Sequence, residues 1–296
     1  MSEVFEVNNQ LLLNRVFTQN TLNEILKNGE SSILKVVSES LGSANQPVKV
    51  AIEDVYNFLN KNYRNEYFYK NTLLNKLLLG RHSINTTVAL AEIWLNRSKA
   101  DFVLINGKAI VYEIKTELDT LDRLHGQIND YYKVFDHVEI ITGEAHKNKV
   151  LEHYENTKVG VSILTKRNTI KQIRKPTINR DSLDYKSIYK FLRKEEQEAI
   201  LNKFYSELPE TDQFSRYSFY YKLFQEIPID KLYDEMIKVL KNRSNIKKHS
   251  ELFLEMPYEL KSLLYFSSFK EKDYIKLKSI LKEEQHVLSI SKRKTI

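Results

Sequence analysis

Four charged side chains sit inside the apolar runs of residues 86–117, which read TTVALAEIWLNRSKADFVLINGKAIVYEIKTE. They are Glu92, Asp101, Glu113 and Lys115. A carboxylate buried without a partner costs several kcal/mol or takes up a proton, so each acid needs something to compensate it. Lys115 or Arg97 could do so for Glu92 in a plain salt bridge. The alternative is a divalent cation shared by Glu92, Asp101 and Glu113. The chain has no cysteine, so side-chain ligands are limited to oxygen and imidazole, and a carboxylate set suits a hard ion that keeps waters for chemistry.

The elements decide whether these groups can meet. Asp101–Ile105 and Ala109–Lys115 read as strands around an Asn106-Gly107 turn. Side chains alternate along a strand, so Glu113 and Lys115 share a face with Val111. A two-residue turn sets Asp101 opposite Tyr112, on the wrong face. A three-residue loop, 106–108, pairs Ile105 with Ala109 and sets Asp101 opposite Glu113. The sequence slightly favours the two-residue turn; the cation reading requires the second register, with Gly107 at positive φ. Thr86–Asn96 reads as an apolar helix with Val88, Ala91, Glu92 and Leu95 on one face. Leu118–Phe135 reads as an amphipathic helix with a core stripe of Leu121, Leu124, Ile128, Tyr132 and Phe135, and with Arg123, Gln127 and Tyr131 along one flank. A strand (137–142), a helix (144–155) and two further strands (159–164 and near 169–173) complete a mixed α/β core.

In this order, Glu92, Asp101 and Glu113-Ile114-Lys115 resemble the helix acid, Asp and (D/E)-x-K pattern of the PD-(D/E)XK nuclease-like superfamily. Ala100 stands where that motif has proline. Gln127 and Tyr131 are similar to the Q-x-x-x-Y element of its RecB-like members. The run YEIKTELDTLDRLHGQINDYYKVFDHVEIIT also looks like a group of poorly characterised bacterial and phage proteins. The resemblance covers roughly residues 85–165. It implies a restriction-endonuclease-like core and hydrolysis of phosphodiester bonds, DNA before RNA. One or two Mg²⁺ or Mn²⁺ ions would be held by Glu92, Asp101, Glu113 and the carbonyl of Ile114. Lys115 would orient a water or stabilise the pentavalent phosphate, and Gln127 and Tyr131 would position a phosphate or a site water. On their residues alone, Tyr131 could equally be core rim and Gln127 surface, and Arg123 could pair with Asp119 or Asp122.

Charge distribution fits a polyanion partner. Residues 158–194 hold eleven Lys or Arg against Asp181 and Asp184, while residues 101–144 hold nine acids against four bases. Lys166, Arg167 and Lys171, on the hairpin ILTKRNTIKQIRK, are candidates to grip a nucleic-acid backbone; a solvated basic face is the plain alternative. The aromatics of RYSFYYKLF fall at helical spacing, which fits core better than base stacking.

A chain of 296 residues with 42% apolar content can bury a substantial core. The remaining text is helical. TLNEILKNG carries a Thr21–Glu24 capping box and stops at Asn28-Gly29, further helices end at Gly42 and Gly80, and helical patterns return after Pro176. The organisation read is an α-helical region (1–84), the α/β core (85–176) and an α-helical C-terminal domain (177–296) that could oligomerise or bind a partner protein. No run reaches membrane-span length and the start lacks a secretory pattern, so a cytoplasmic protein is expected. No P-loop glycine pattern or G-x-S-x-G occurs. The expectation is a metal-dependent nuclease; the alternative is a catalytically silent nuclease fold that binds nucleic acid or regulates.

Overall fold

The computed structural model describes residues 10–43, 46–209, 212, 215–243 and 246–282. The first nine residues and the tail SKRKTI lie outside them. The chain divides into two compact units, one made of residues 1–71 with 249–296 and the other of residues 72–248.

The first unit is helical: α1 (Gln19–Asn28), α2 (Ser32–Ser40), α3 (Val48–Asn62), most of α4 (Glu66–Leu73), α11 (Ser250–Glu255), α12 (Lys261–Tyr265) and α13 (Glu271–Ile280). Helix α1 begins earlier than its capping-box reading. Thr18 is the N-cap and its side chain accepts from the Thr21 amide, whereas Glu24 accepts from Ser31 and Ser32. Gly29 closes the helix at φ +81, a left-handed conformation that glycine adopts without steric cost. Leu22, Leu34, Leu59 and Phe68 are fully buried.

The second unit carries the six-stranded mixed sheet, in the order β1 (Val88–Leu95), β2 (Ser98–Asn106), β3 (Lys108–Lys115), β4 (Val138–Thr142), β5 (Gly160–Leu164) and β6 (Ile170–Arg174). Strands β1–β3 and β5–β6 are antiparallel neighbours, and β3–β4 and β4–β5 are parallel. Parallel pairs need a crossover, which α5 (Leu124–Tyr132) and α6 (Lys147–His153) provide. Helices α7 (Tyr185–Phe191), α8 (Lys194–Leu201), α9 (Arg216–Glu226) and α10 (Ile229–Leu240) follow. Phe135, Val111, Ile140, Tyr189, Phe224 and Met236 belong to one buried cluster, so the sheet and these later helices share a core.

Two elements differ from the sequence reading. The segment read as a helix over 86–96 is strand β1. Its Ala, Leu and Glu content favours a helix, but Asn96-Arg97 forms a two-residue hairpin loop with Leu95 opposite Ser98, and β2 offers a free edge. Asn96 sits at φ +57, which asparagine tolerates better than most residues. The helix read from residue 118 begins only at Leu124. Asp119 captures both the amide and the hydroxyl of Thr116 at 2.7 Å, forming a tight turn that competes with helix initiation.

Candidate functional site

The β2–β3 hairpin sets the register on which everything else depends. Ile105 pairs with Ala109 and Asn106 with Lys108, leaving Gly107 at the tip at φ +73. This is the register of the longer loop. The ladder is formed from Asn106 back to Phe102 opposite Tyr112. One step further on, the Asp101 carboxylate accepts from the Ile114 amide at 2.8 Å, taking the place of a backbone carbonyl. Asp101 and Glu113 are thus the next residues along the two neighbouring strands beyond the Phe102–Tyr112 pair.

Glu113 is 1% exposed and Lys115 6%. One Glu113 oxygen lies 2.9 Å from the Lys115 ammonium; the other accepts from the Tyr131 hydroxyl at 2.6 Å. The ammonium also donates to Gln127 Oε1 at 2.9 Å. Both members of the Gln127/Tyr131 pair on α5 therefore reach the strand residues. Burial pushes the Glu113 carboxyl up, and Lys115, Tyr131 and Gln127 pull against that rise. Burial, together with the negative charges of Glu113 and Asp101, holds the Tyr131 phenol far above its ordinary value. Both acids therefore act on the same hydroxyl, which is also 3.0 Å from the Lys99 carbonyl. Tyr131 is fully buried, and Gln127 is half-buried above Lys115.

Glu92 does not occupy the buried helical position read for it. The β1–β2 register would set it across from Asp101, in one row with Glu113, but the ladder skips it and its φ is +56. Its side chain is 44% exposed and pairs with Lys99. Among the described residues no group of three His, Cys, Asp or Glu gathers to hold a metal ion. The remaining candidate donors are Asp101 and Glu113, with the Ile114 carbonyl beside them in sequence. Two carboxylates fit Mg²⁺, which is held by one or two of them and its own waters.

Asp101, Gln127 and Arg123 line a cleft of about 700 Å³ between the β1–β2 hairpin and α5. Arg123 is exposed and makes no ion pair with Asp119 or Asp122. The basic hairpin is elsewhere. Lys166 and Arg167 occupy the β5–β6 turn and Lys171 is on β6, all exposed. Strand β6 is three positions from β3, about 14 Å at ordinary strand spacing. The structure does not bring those three cations to the Asp101 cleft.

The sequence reading missed Trp94, which is 66% exposed and lines that cleft and a second of about 650 Å³ with Lys133 and Lys190. A helix reading of 86–96 hides it; its alternation with Glu92 along a strand would have signalled a solvent-facing aromatic.

No curated protein and no solved structure matches the chain. A family model does, over residues 59–264, a span that contains the whole sheet and every residue of the Asp101 cleft. The chain belongs to the family described as bacteriophage P4 protein cII.

Proposed function

We propose that the protein is a metal-dependent nuclease that hydrolyses phosphodiester bonds, with DNA as the substrate. The observation that carries this reading is the β2–β3 register, which leads to Asp101 and Glu113 as the next positions past the Phe102–Tyr112 pair, with the Asp101 carboxylate on the Ile114 amide and the Lys115 ammonium 2.9 Å from both Glu113 and Gln127. A bound Mg²⁺ or Mn²⁺, as one or two ions on Asp101, Glu113 and the Ile114 carbonyl, would supply a water of lowered pKa and neutralise phosphoryl oxygens. The chain's own groups divide the other tasks. Lys115, fixed by Gln127, orients a water or meets the charge that develops on the phosphate. Tyr131 holds Glu113 in place through its 2.6 Å hydrogen bond. Arg123 at the cleft rim attracts the phosphate backbone. Membership of a family described from a phage protein supports a phage setting.

The test is incubation of the purified protein with linear, circular and single-stranded DNA in Mg²⁺, Mn²⁺ or EDTA, beside Asp101→Ala and Lys115→Ala. Cutting should require the metal and fall roughly a hundredfold or more in each variant. Cutting that survives both substitutions ends the assignment.

A second reading, a nucleic-acid-binding module that does not cut, is favoured by one specific observation. Both oxygens of Glu113 are already taken up, by Lys115 and Tyr131, at 1% exposure. Salt-sensitive DNA binding with no cleavage in any metal would select it.

A further inference from the structure

The two clefts beside the β1–β2 hairpin share Trp94, Arg97 and Asp130 as a common wall, so they form one groove leading away from Asp101. The hairpin tip is held from two sides. Asn96 accepts from the Ser187 hydroxyl of α7 at 2.9 Å, and Ser98 donates to Asp130 of α5 at 2.8 Å. Trp94 is therefore mounted on a fixed ridge, and it is the most exposed of the large apolar side chains among the described residues. The charges along the groove sort themselves. Lys99 is matched by Glu92 and Lys133 by Asp130 at 3.1 Å. Arg97 and Lys190 line the second cleft and Arg123 the first, and none of the three has a carboxylate partner among the described residues.

An indole flanked by unmatched cations suits a chain that alternates flat bases with phosphates. Only an unpaired base can lay its face on the ring, and a base paired within a duplex presents its edges instead. We propose that this groove takes a single-stranded nucleic-acid segment, one base stacked on Trp94 and the flanking phosphates on Arg97 and Lys190. The inference rests on the nucleic-acid reading of the Asp101 site and extends it. The segment entering the site is single-stranded, and it enters past the hairpin tip.

Trp94 is the only tryptophan in the chain, so its emission reports on this groove alone. Titrate the full-length protein in EDTA with a single-stranded oligothymidylate, a duplex of equal length and polyglutamate, following Trp94 emission and its quenching by acrylamide. The expected result is saturable quenching and protection by the single strand, with much weaker effects from the other two. By fluorescence anisotropy of labelled oligothymidylate, Trp94→Ala should weaken binding about tenfold to a hundredfold, and Trp94→Phe should restore most of it. Removing Arg97 or Lys190 should each reduce the salt slope by roughly 0.7. Unchanged emission with the single strand, equal protection by duplex or polyglutamate, or full affinity in Trp94→Ala overturns the inference. Failure here with intact Mg²⁺-dependent cutting leaves the nuclease reading standing; quenching without cutting in any metal retains the groove and removes the nuclease.

Discussion

Tyr131→Phe isolates the bond that fixes Glu113. The hydroxyl carries one proton and has two acceptors within reach, the Glu113 carboxylate at 2.6 Å and the Lys99 carbonyl at 3.0 Å. A hydrogen bond to a charged group is worth about 1.5–3 kcal/mol, and a buried acceptor left unmatched costs about 1–3 kcal/mol. Lys115 still serves the other oxygen of Glu113, so the combined loss at neutral pH should be about 2–3 kcal/mol. The unit spanning 72–248 is in the size range where 1 kcal/mol moves the midpoint by about 2–4 °C, so a fall of about 4–12 °C follows.

The pH dependence shows which acceptor matters. Tyr131 lowers the folded-state pKa of Glu113 against the rise caused by burial, so its contribution is to the charged form. That contribution is present at high pH and lost as pH falls through the folded pKa of Glu113. The cost of Tyr131→Phe should therefore shrink to about 1 kcal/mol, a neutral hydrogen bond, in acid. The measurement is urea unfolding of wild type and variant from pH 4 to 8, with hydrogen exchange of the β3 amides to read the second unit alone. A cost below about 0.5 kcal/mol at neutral pH refutes the reasoning. A cost that does not change with pH assigns the proton to the Lys99 carbonyl instead.

Glu113→Gln tests the same pocket from the other side. Burial raises the folded pKa of Glu113 above 4.5, so wild-type stability falls as pH rises from 4.5 to that folded value. The variant lacks this titration; its stability relative to wild type should climb across that window and then level off in urea midpoints. Mg²⁺ at about 10 mM acting on a site with Kd of about 1 mM should stabilise the folded chain by about 1.4 kcal/mol. Calorimetry should lose that increment in Asp101→Ala, and an equal rise in the variant would remove Asp101 from the ligand set. Gly160→Ala should cost about 1–3 kcal/mol, because a Cβ there would lie 2.6 Å from Pro176 Cδ and 2.7 Å from its nitrogen; an unchanged melting temperature would show that the Pro176 segment yields.

The β2–β3 register was legible only as the less favoured of two, since the Asn106-Gly107 pair reads first as a two-residue turn. Period-2 alternation put Glu113 and Lys115 on one face, and Gly107 marked the only residue in the loop free to take positive φ without cost. The i, i+4 spacing of Gln127 and Tyr131 likewise held, because a helix packed on a strand must aim that row at the residues beneath it. Glu92 was not legible. Ala, Leu and Glu suit a helix when judged locally, and the strand exists because an edge of β2 and a two-residue Asn96-Arg97 loop were available to it. Strand β1 then brought Trp94 and Arg97 to the cleft, and the sheet order carried Lys166, Arg167 and Lys171 to the far edge. The sequence by itself determined which residues alternate, cap and turn, since those preferences act within a few residues. The tertiary structure decided which strand edge was filled and which charges ended up as neighbours, because the hydrogen bonds of the β1–β2 ladder and burial in the shared core outweigh a local helix preference of a few tenths of a kcal/mol per residue.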